Sequence, residues 1–198
     1  MTHSLHRKGS IKDLKNDYVV LACLAKGINR EIPEGRKKMI RIAEILKENN
    51  PVNIIPKFTW KISPVITAVY SDINIIKKIL KTLKKEDLGI SIVVSGLISE
   101  IQDILHNIDL KIHTAHLSLG TFGNKKLLPV RESVLEVTTM CGHHCISPQS
   151  VDHYIKQIKQ GKVTVEKAIE RLAKPCICGI FNKKRTEEIL KKIINLEL

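Results

Sequence analysis

The order of apolar segments between residues 18 and 94 constrains the fold more than any other feature of the chain. Short β-branched runs there predict buried strands, and amphipathic segments with apolar residues at helical spacing predict helices. The strands are expected at 18–25, 52–58, 62–70 and 90–94, and the helices at 33–49 and 72–87. The order strand, helix, strand, strand, helix, strand is that of the ferredoxin-like split βαβ unit. A doubly wound α/β sheet is the alternative, because one of the middle strands is weak.

Further apolar segments extend this body toward the middle of the chain. A helix is expected at about 97–107 and a strand at 112–119. The body is predicted to end near Leu128-Pro129, which divides the chain into a domain at 1–128 and a second domain at 129–198. The fold class predicted for the whole chain is therefore α/β (α+β).

The second domain is predicted to be a small helical module rich in Cys and His. It begins with a short apolar run, Ser133–Val137, which predicts one more strand. Three short helices follow, with Ser147, Thr164 and Asn182 as their capping residues. Helices of this length bury little surface alone, so an additional source of stability is expected here.

Four of the chain's five cysteines form two close pairs that flank two of these short helices. The pairs are Cys141 with Cys145 and Cys176 with Cys178. Four thiolates suit tetrahedral zinc or an iron–sulfur cluster, and His143 or His144 could take the place of one thiolate. The spacing therefore predicts the two halves of one metal or cluster site, whose binding free energy would also stabilise the module.

The metal interpretation depends on the redox compartment. The N-terminal segment lacks the apolar core of a signal peptide, so we expect a cytoplasmic protein. Thiols there stay reduced, which favours a metal over disulfide bonds. Redox-active thiols and plain buried cysteines remain open as alternatives.

Two glycine-containing segments are candidates for anion binding. Gly96 lies between a predicted strand and a predicted helix, a corner where backbone N–H groups accept anions. The loop that contains Gly120, Gly123, Lys125 and Lys126 could be a mobile basic loop over a ligand. The respective alternatives are a packing glycine and a plain surface turn, since the sequence lacks the full dinucleotide and P-loop motifs.

The net charge of +13 bears on the partners of the protein. A basic surface attracts anionic cofactors, acidic proteins or nucleic acid by the same electrostatic field. Nucleic acid is possible but not favoured, because aromatic residues make up only 4% of the chain and offer little for base stacking. No apolar run is long enough to span a bilayer, so no membrane partner is expected.

Three segments of the C-terminal third resemble the C-terminal region of the methanogenesis marker protein 8 family. They are Thr139–His143, Ile146-Ser147 and Ala173–Asn182. The resemblance implies an anaerobic archaeal or related host and a role near one-carbon or cofactor metabolism, without supplying a reaction. The N-terminal two-thirds of the chain carries no such resemblance.

Together these features predict a metal- or iron–sulfur-binding accessory or cofactor-handling protein of anaerobic, methanogen-type metabolism. One alternative is an enzyme that uses Cys141 or Cys145 as a nucleophile, with His143 or His144 as its base. The other is a basic nucleic-acid-binding module. Whether the protein is an enzyme stays open at this point.

Overall fold

The computed structural model describes residues 7–112, 126, 128–129, 131–143 and 145–196. Within these residues the chain is a mixed α/β protein, built from one antiparallel sheet and helices on both of its faces. The strands are β1 (Tyr18–Cys23), β2 (Asn53–Ile54), β3 (Val65–Tyr70) and β4 (Ser91–Ser95). The α-helices are α1 (Ile11–Leu14), α2 (Pro33–Glu48), α3 (Ile73–Glu86), α4 (Ile98–His106), α5 (Glu132–Thr138), α6 (Pro148–Lys159), α7 (Val165–Ala173) and α8 (Lys183–Leu196).

The strands follow the order β2-β3-β1-β4, and every neighbouring pair is antiparallel. Strand β1 lies in the middle, with Val20 opposite both Ala68 of β3 and Val94 of β4. Its two faces are also covered along most of its length, since Val19 and Val20 point to opposite faces and both are buried. This explains why it is a continuous apolar run rather than an alternating one.

Helices α2 and α3 form where their sequence patterns predict them. Pro33 occupies the first turn of α2, where its missing N–H costs no hydrogen bond. Asp72 caps α3 by accepting a hydrogen bond from the backbone N–H of Asn74. Helix α3 is followed by its C-cap Asp87, whose φ of 40° is left-handed.

Alternate residues of the central strands face two separate cores. The first core lies between the sheet and helices α2, α3 and α4; its members include Val20, Ala22, Met39, Ile42, Leu46, Ile66, Ala68, Tyr70, Ile76, Ile79 and Ile104. The second core lies between the other face and the C-terminal helices; its members include Val19, Val69, Val134, Val137, Met140, Cys141, Ile155, Leu172, Phe181, Leu190 and Ile193. The C-terminal helices thus share a core with the sheet and do not depend on a metal alone for their burial.

Two sequence predictions need correction in the described residues. The run Ser133–Val137 is not a strand but most of helix α5. Val134 and Val137 are both buried in the second core and are three residues apart, which places them on one helical face. Strand β2 is shorter than predicted, because Pro51 and Pro56 flank it and have no N–H for a ladder hydrogen bond.

The remaining elements agree with expectation or lie outside the described residues. Helix α4 and the three capped C-terminal helices are present, and Asn182 accepts a hydrogen bond from the backbone N–H of Arg185. The strand expected at 112–119 falls almost wholly outside the described residues. None of the described helices is long and apolar enough to cross a lipid bilayer.

Candidate metal centre

The first cysteine pair lies in the turn that ends helix α5. The Thr139 hydroxyl donates to the carbonyl of Leu135, and the backbone N–H of Cys141 donates to the carbonyl of Thr138. These local bonds tighten the chain just after the helix. Cys141 is fully buried in the second core, whereas Cys145 is exposed. The two thiols of this pair therefore have different access to solvent.

The second pair lies in a tight loop that begins where Pro175 stops helix α7. The backbone N–H of Cys176 donates to the carbonyl of Ala173, and that of Gly179 donates to the carbonyl of Cys176. The Thr67 hydroxyl of β3 donates to the carbonyl of Cys178. This loop is therefore anchored to the sheet and not free to move away from it.

Gly179 is required at the end of this loop for two separate reasons. Its φ of +69° is left-handed, a conformation that side chains disfavour. A Cβ on Gly179 would also lie 2.3 Å from the backbone carbon of Ile54 in β2. The loop can approach strand β2 this closely only because the residue has no side chain.

The fold brings the two cysteine pairs together. The sulfurs of Cys176 and Cys178 are 3.6 Å apart, and the Cys178 sulfur lies 3.7 Å from Nδ1 of His143. Cys141 lies close enough to Cys176 and Cys145 for its thiol to interact with both, and the Cys145 sulfur lies 3.9 Å from the carbonyl oxygen of His143. The four thiols thus form a continuous series that links the two loops. His144 lies outside the described residues.

The thiols differ in acidity because of how they contact each other. Contact with Cys176, followed by burial, raises the pKa of Cys141 far above its usual range. For Cys176, contact with Cys141 lowers the pKa, but contact with Cys178 and burial outweigh it and raise the value to about 11. Contact with Cys176 lowers the pKa of Cys178. The pKa of Cys145 is raised by partial loss of hydration and, to a smaller extent, by its interaction with Cys141. Negative charge is therefore most stable on Cys178, beside His143.

The distances around Cys178 fit two edges of a tetrahedral metal site. Zinc–sulfur bonds of about 2.3 Å and zinc–nitrogen bonds of about 2.0–2.1 Å imply S···S edges of about 3.8 Å and S···N edges of about 3.6 Å. The observed separations to Cys176 and His143 are 3.6 Å and 3.7 Å. Among the described residues, no group of three or more His, Cys, Asp or Glu side chains is already arranged to hold a metal ion. A complete site would therefore need Cys176, Cys178 and His143 to converge on one centre, with Cys141 or Cys145 turning in as the fourth ligand.

Three of the residues predicted to bind anions lie outside the described part of the chain: Gly120, Gly123 and Lys125. Lys126 is described and exposed. At Gly96, a Cβ would lie 2.7 Å from the ring of Tyr18, whose hydroxyl donates to Glu100 in the first turn of α4. This geometry indicates a packing role for Gly96, and the nearby carboxylate opposes an anion.

Sequence reasoning missed a buried ionic network that joins the N-terminal segment to α8. The Asp17 carboxylate accepts hydrogen bonds from Arg7, from Arg185 at 2.9 Å and from the side chain of Asn182 at 2.9 Å. Asp17 and Arg185 are 2% and 1% exposed. A signal exists in the sequence, because Arg185 lies four residues before Ile189 and so continues the apolar stripe of α8.

Comparison with known proteins gave no match to a protein-family model, to a curated protein or to a solved structure. The interpretation of the site therefore depends on its own geometry.

Proposed function

We propose that the cysteine cluster binds one metal ion, with Cys176, Cys178 and His143 as ligands and Cys141 or Cys145 as the fourth. The observation that carries the proposal is the pair of separations around the Cys178 sulfur, 3.6 Å to the Cys176 sulfur and 3.7 Å to His143 Nδ1. Both lie close to the edges of a zinc-centred tetrahedron. The chain's own contribution is a rigid loop: Gly179, Thr67 and the end of α7 hold the second pair in place.

A single zinc ion fits this geometry better than a four-iron cluster. In a four-iron cluster each cysteine binds a different iron, so the thiolates are held apart by the cluster itself. Here two sulfurs are in contact, as expected for two ligands of the same ion. When bound, the metal would supply positive charge that keeps all its thiol ligands ionised, and their protons would be released on binding.

The test is metal analysis of the protein purified without oxygen, with a visible spectrum of the same sample. We expect about one zinc per chain and no iron–sulfur absorption. Cys178→Ser should lose the metal, whereas Cys23→Ser should keep it, because Cys23 lies in β1 and its thiol donates to the carbonyl of Leu24. A folded wild-type protein without metal would refute the proposal. A strong visible absorption band would indicate an iron–sulfur cluster instead of zinc.

We further propose that this metal site serves an accessory or cofactor-handling role in anaerobic, methanogen-type metabolism. Support comes from the resemblance of the cysteine segments to the methanogenesis marker protein 8 family. Deleting the chain in its host should lower the activity of a one-carbon or cofactor-dependent pathway. Cys23→Ser should restore that activity and Cys178→Ser should not. Normal growth and pathway activity after deletion would contradict this role.

One observation favours a second candidate, an enzyme with a cysteine nucleophile. The thiol that lies beside an imidazole is Cys178, at 3.7 Å from His143, and its pKa is lowered by contact with Cys176. This differs from the predicted nucleophiles, since Cys141 is buried and its pKa is raised. Chelation discriminates between the two functions, because it should expose Cys178 to alkylation in a metal protein and leave its reactivity unchanged in a thiol enzyme.

We also propose that the sheet with α2 and α3 forms a ferredoxin-like unit. In such a unit, strands joined by a crossover helix are parallel but separated by a strand that runs antiparallel to both. Strands β1 and β2 are each antiparallel to β3, which lies between them, and β3 and β4 are each antiparallel to β1. These pairings support the proposal. Backbone NMR contacts between Val20 and both Ala68 and Val94 would test the order.

A further inference from the structure

One end of the sheet carries four large apolar side chains that are exposed to solvent. They are Ile28 at 75%, Ile32 at 46%, Phe58 at 78% and Ile62 at 73% exposure. Scattered apolar residues are normal on a protein surface, but a group of them marks a binding surface. We call residues 26–32 and 57–62 together the apolar tip.

The two segments of the apolar tip lie at the same end of the sheet. Strand β1 ends at Cys23, which is paired with Val65, the first residue of β3. The pairing continues one residue further, because the backbone N–H of Leu24 donates to the carbonyl of Pro64 at 2.9 Å. The guanidinium of Arg36 in α2, the helix that follows the first segment, donates to the carbonyl of Ser63, the residue that follows the second.

Both segments are fixed by internal hydrogen bonds. In 26–32, the backbone N–H of Gly27 donates to the Glu31 carboxylate at 2.9 Å. In 57–62, the buried indole of Trp60 donates to the carbonyl of Ile55 at 3.1 Å, and the backbone N–H of Ile62 donates to the carbonyl of Thr59 at 3.0 Å. The apolar side chains are therefore presented by preformed loops, so binding through them would require little ordering of the chain.

The same two segments carry exposed cations between the apolar residues. These are Lys26, Arg30, Lys57 and Lys61, and no carboxylate in the described part of the chain is paired with any of them. Glu31 is the one acidic residue, so the tip has four positive charges and one negative charge, a net of +3. A second copy of the chain would bring the same positive charge to the contact and would be repelled.

We propose that the apolar tip docks on the surface of an anionic lipid bilayer. The four apolar side chains enter the boundary between headgroups and acyl chains, and the four cations bind the phosphate groups around them. Side chains that project singly from loops need no matching pockets in a bilayer, whereas a protein partner would have to provide one for each. This contact needs no membrane-spanning helix and is therefore compatible with the lack of such a helix among the described residues.

The test is co-sedimentation of the full chain with phosphatidylcholine vesicles, with and without phosphatidylglycerol. The wild type should bind the anionic vesicles at least tenfold more tightly than the neutral ones. Replacing Lys57 and Lys61 by Ala should weaken that binding by about thirtyfold, since each cation near an anionic surface contributes on the order of 1 kcal/mol. Phe58→Ser with Ile62→Ser should weaken binding by at least tenfold and leave the melting temperature unchanged.

Matched variants separate this site from the general positive charge of the protein. Lys81→Ala with Lys85→Ala removes two exposed cations of α3 and should change binding by less than threefold. Ile11→Ser removes an apolar side chain that is 68% exposed in α1, before the opposite end of β1, and should have no effect. Equal losses in the tip and control variants would overturn the proposal. So would binding to poly-glutamate without binding to vesicles, or a dimer in solution that Phe58→Ser dissociates.

Discussion

The two faces of the sheet bury their side chains in different ways. The polar atoms of the first core belong to a few aromatic side chains, and each of these atoms forms a hydrogen bond. The hydroxyl of Tyr70 donates to the carbonyl of Leu46 at 2.7 Å, and the hydroxyl of Tyr18 donates to Glu100. The second core, in contrast, includes Cys141 and Cys176, has Cys178 packed against it, and borders a buried ionic network around Asp17 and Arg185. The polar and reactive groups of the described chain are thus concentrated on one face.

The first core therefore contributes stability through apolar packing, whereas the second core must also hold charged groups and thiols in a specific geometry. Apolar packing tolerates volume-conserving changes, whereas buried charges and thiols must keep their partners. The ionic network is also incompletely satisfied, since Nε of Arg7 and Nε of Arg185 have no hydrogen-bond partner although both are buried. Its benefit is therefore expected to be in fixing how α8 meets the N-terminal segment more than in net stability.

The largest expected effect comes from breaking the ionic network. Asp17→Ala removes the carboxylate nearest to the buried Arg185, which keeps only the longer contact of 3.8 Å to Glu136 among the described ion pairs, and should lower the free energy of unfolding by about 3–5 kcal/mol. Urea denaturation measures this loss. Replacing Asp17 by Leu together with Arg7 and Arg185 by Met removes the whole network and should recover most of it. A loss below about 1 kcal/mol for Asp17→Ala would show that the network is not buried in solution.

Two matched leucines compare the cores directly. Leu46 in the first core and Leu190 in the second are both fully buried. Each change to Ala should lower the free energy of unfolding by about 2–5 kcal/mol through lost contacts and a cavity. Because Val19 and Val69 join the second core to the sheet, both variants should unfold in one transition. Two separate transitions in Leu190→Ala would instead support independent domains at 1–128 and 129–198.

Substitutions at two glycines test how closely the cysteine loop packs on β2. Gly161 and Gly179 both have left-handed φ, but a Cβ on Gly161 would meet nothing within 4 Å. Gly161→Ala should therefore cost only the conformational term, about 1–2 kcal/mol. Gly179→Ala should cost more than that, because its Cβ would collide with backbone of Ile54, and it should also weaken metal binding. Thermal unfolding and metal titration of the two variants give the comparison, and equal costs would contradict the close seating.

Metal removal tests whether the helices of the second core remain folded without a bound metal. With free zinc at ten times its dissociation constant, binding should stabilise the folded chain by about 1.4 kcal/mol. A chelator should remove this stabilisation from the wild type and have no effect on Cys178→Ser. The module should remain folded in both cases, because it shares an apolar core with the sheet. Loss of helical circular dichroism on chelation would show that the metal is needed for folding.

The smallest effect is expected from an exposed ion pair on the helices of the first face. The guanidinium of Arg41 in α2 hydrogen-bonds to Glu86 in α3 and lowers the pKa of that carboxyl below its ordinary value of 4.5. A lowered pKa means that the pair stabilises the fold above the unfolded value and loses this contribution as the pH falls through the folded one. Glu86→Gln should therefore melt slightly lower than wild type at pH 7, and this difference should shrink as the pH falls below 4.5. A constant difference across this range would exclude the ion pair as its cause.

The sequence by itself determined the elements whose signals are local. Apolar spacing predicted α2, α3 and the three long strands, and capping residues such as Ser147 and Thr164 marked the starts of α6 and α7. Local periodicity records the contacts of a segment with its own neighbours, so these elements needed no partner to be recognised. Pairing of the cysteines along the chain likewise pointed to one candidate site before any distance was known.

Only the tertiary structure decided which surfaces meet. Asp17 and Arg185 are 168 residues apart in sequence, and His143 and Cys178 are 35 apart, so no local pattern could join either pair. The same limit explains α5, where a short apolar run is equally compatible with a strand until the helices around it supply one buried face. The packing of the C-terminal helices on the sheet also came only from the tertiary structure. An apolar stripe shows that a helix buries one face, but it does not identify the element that covers that face.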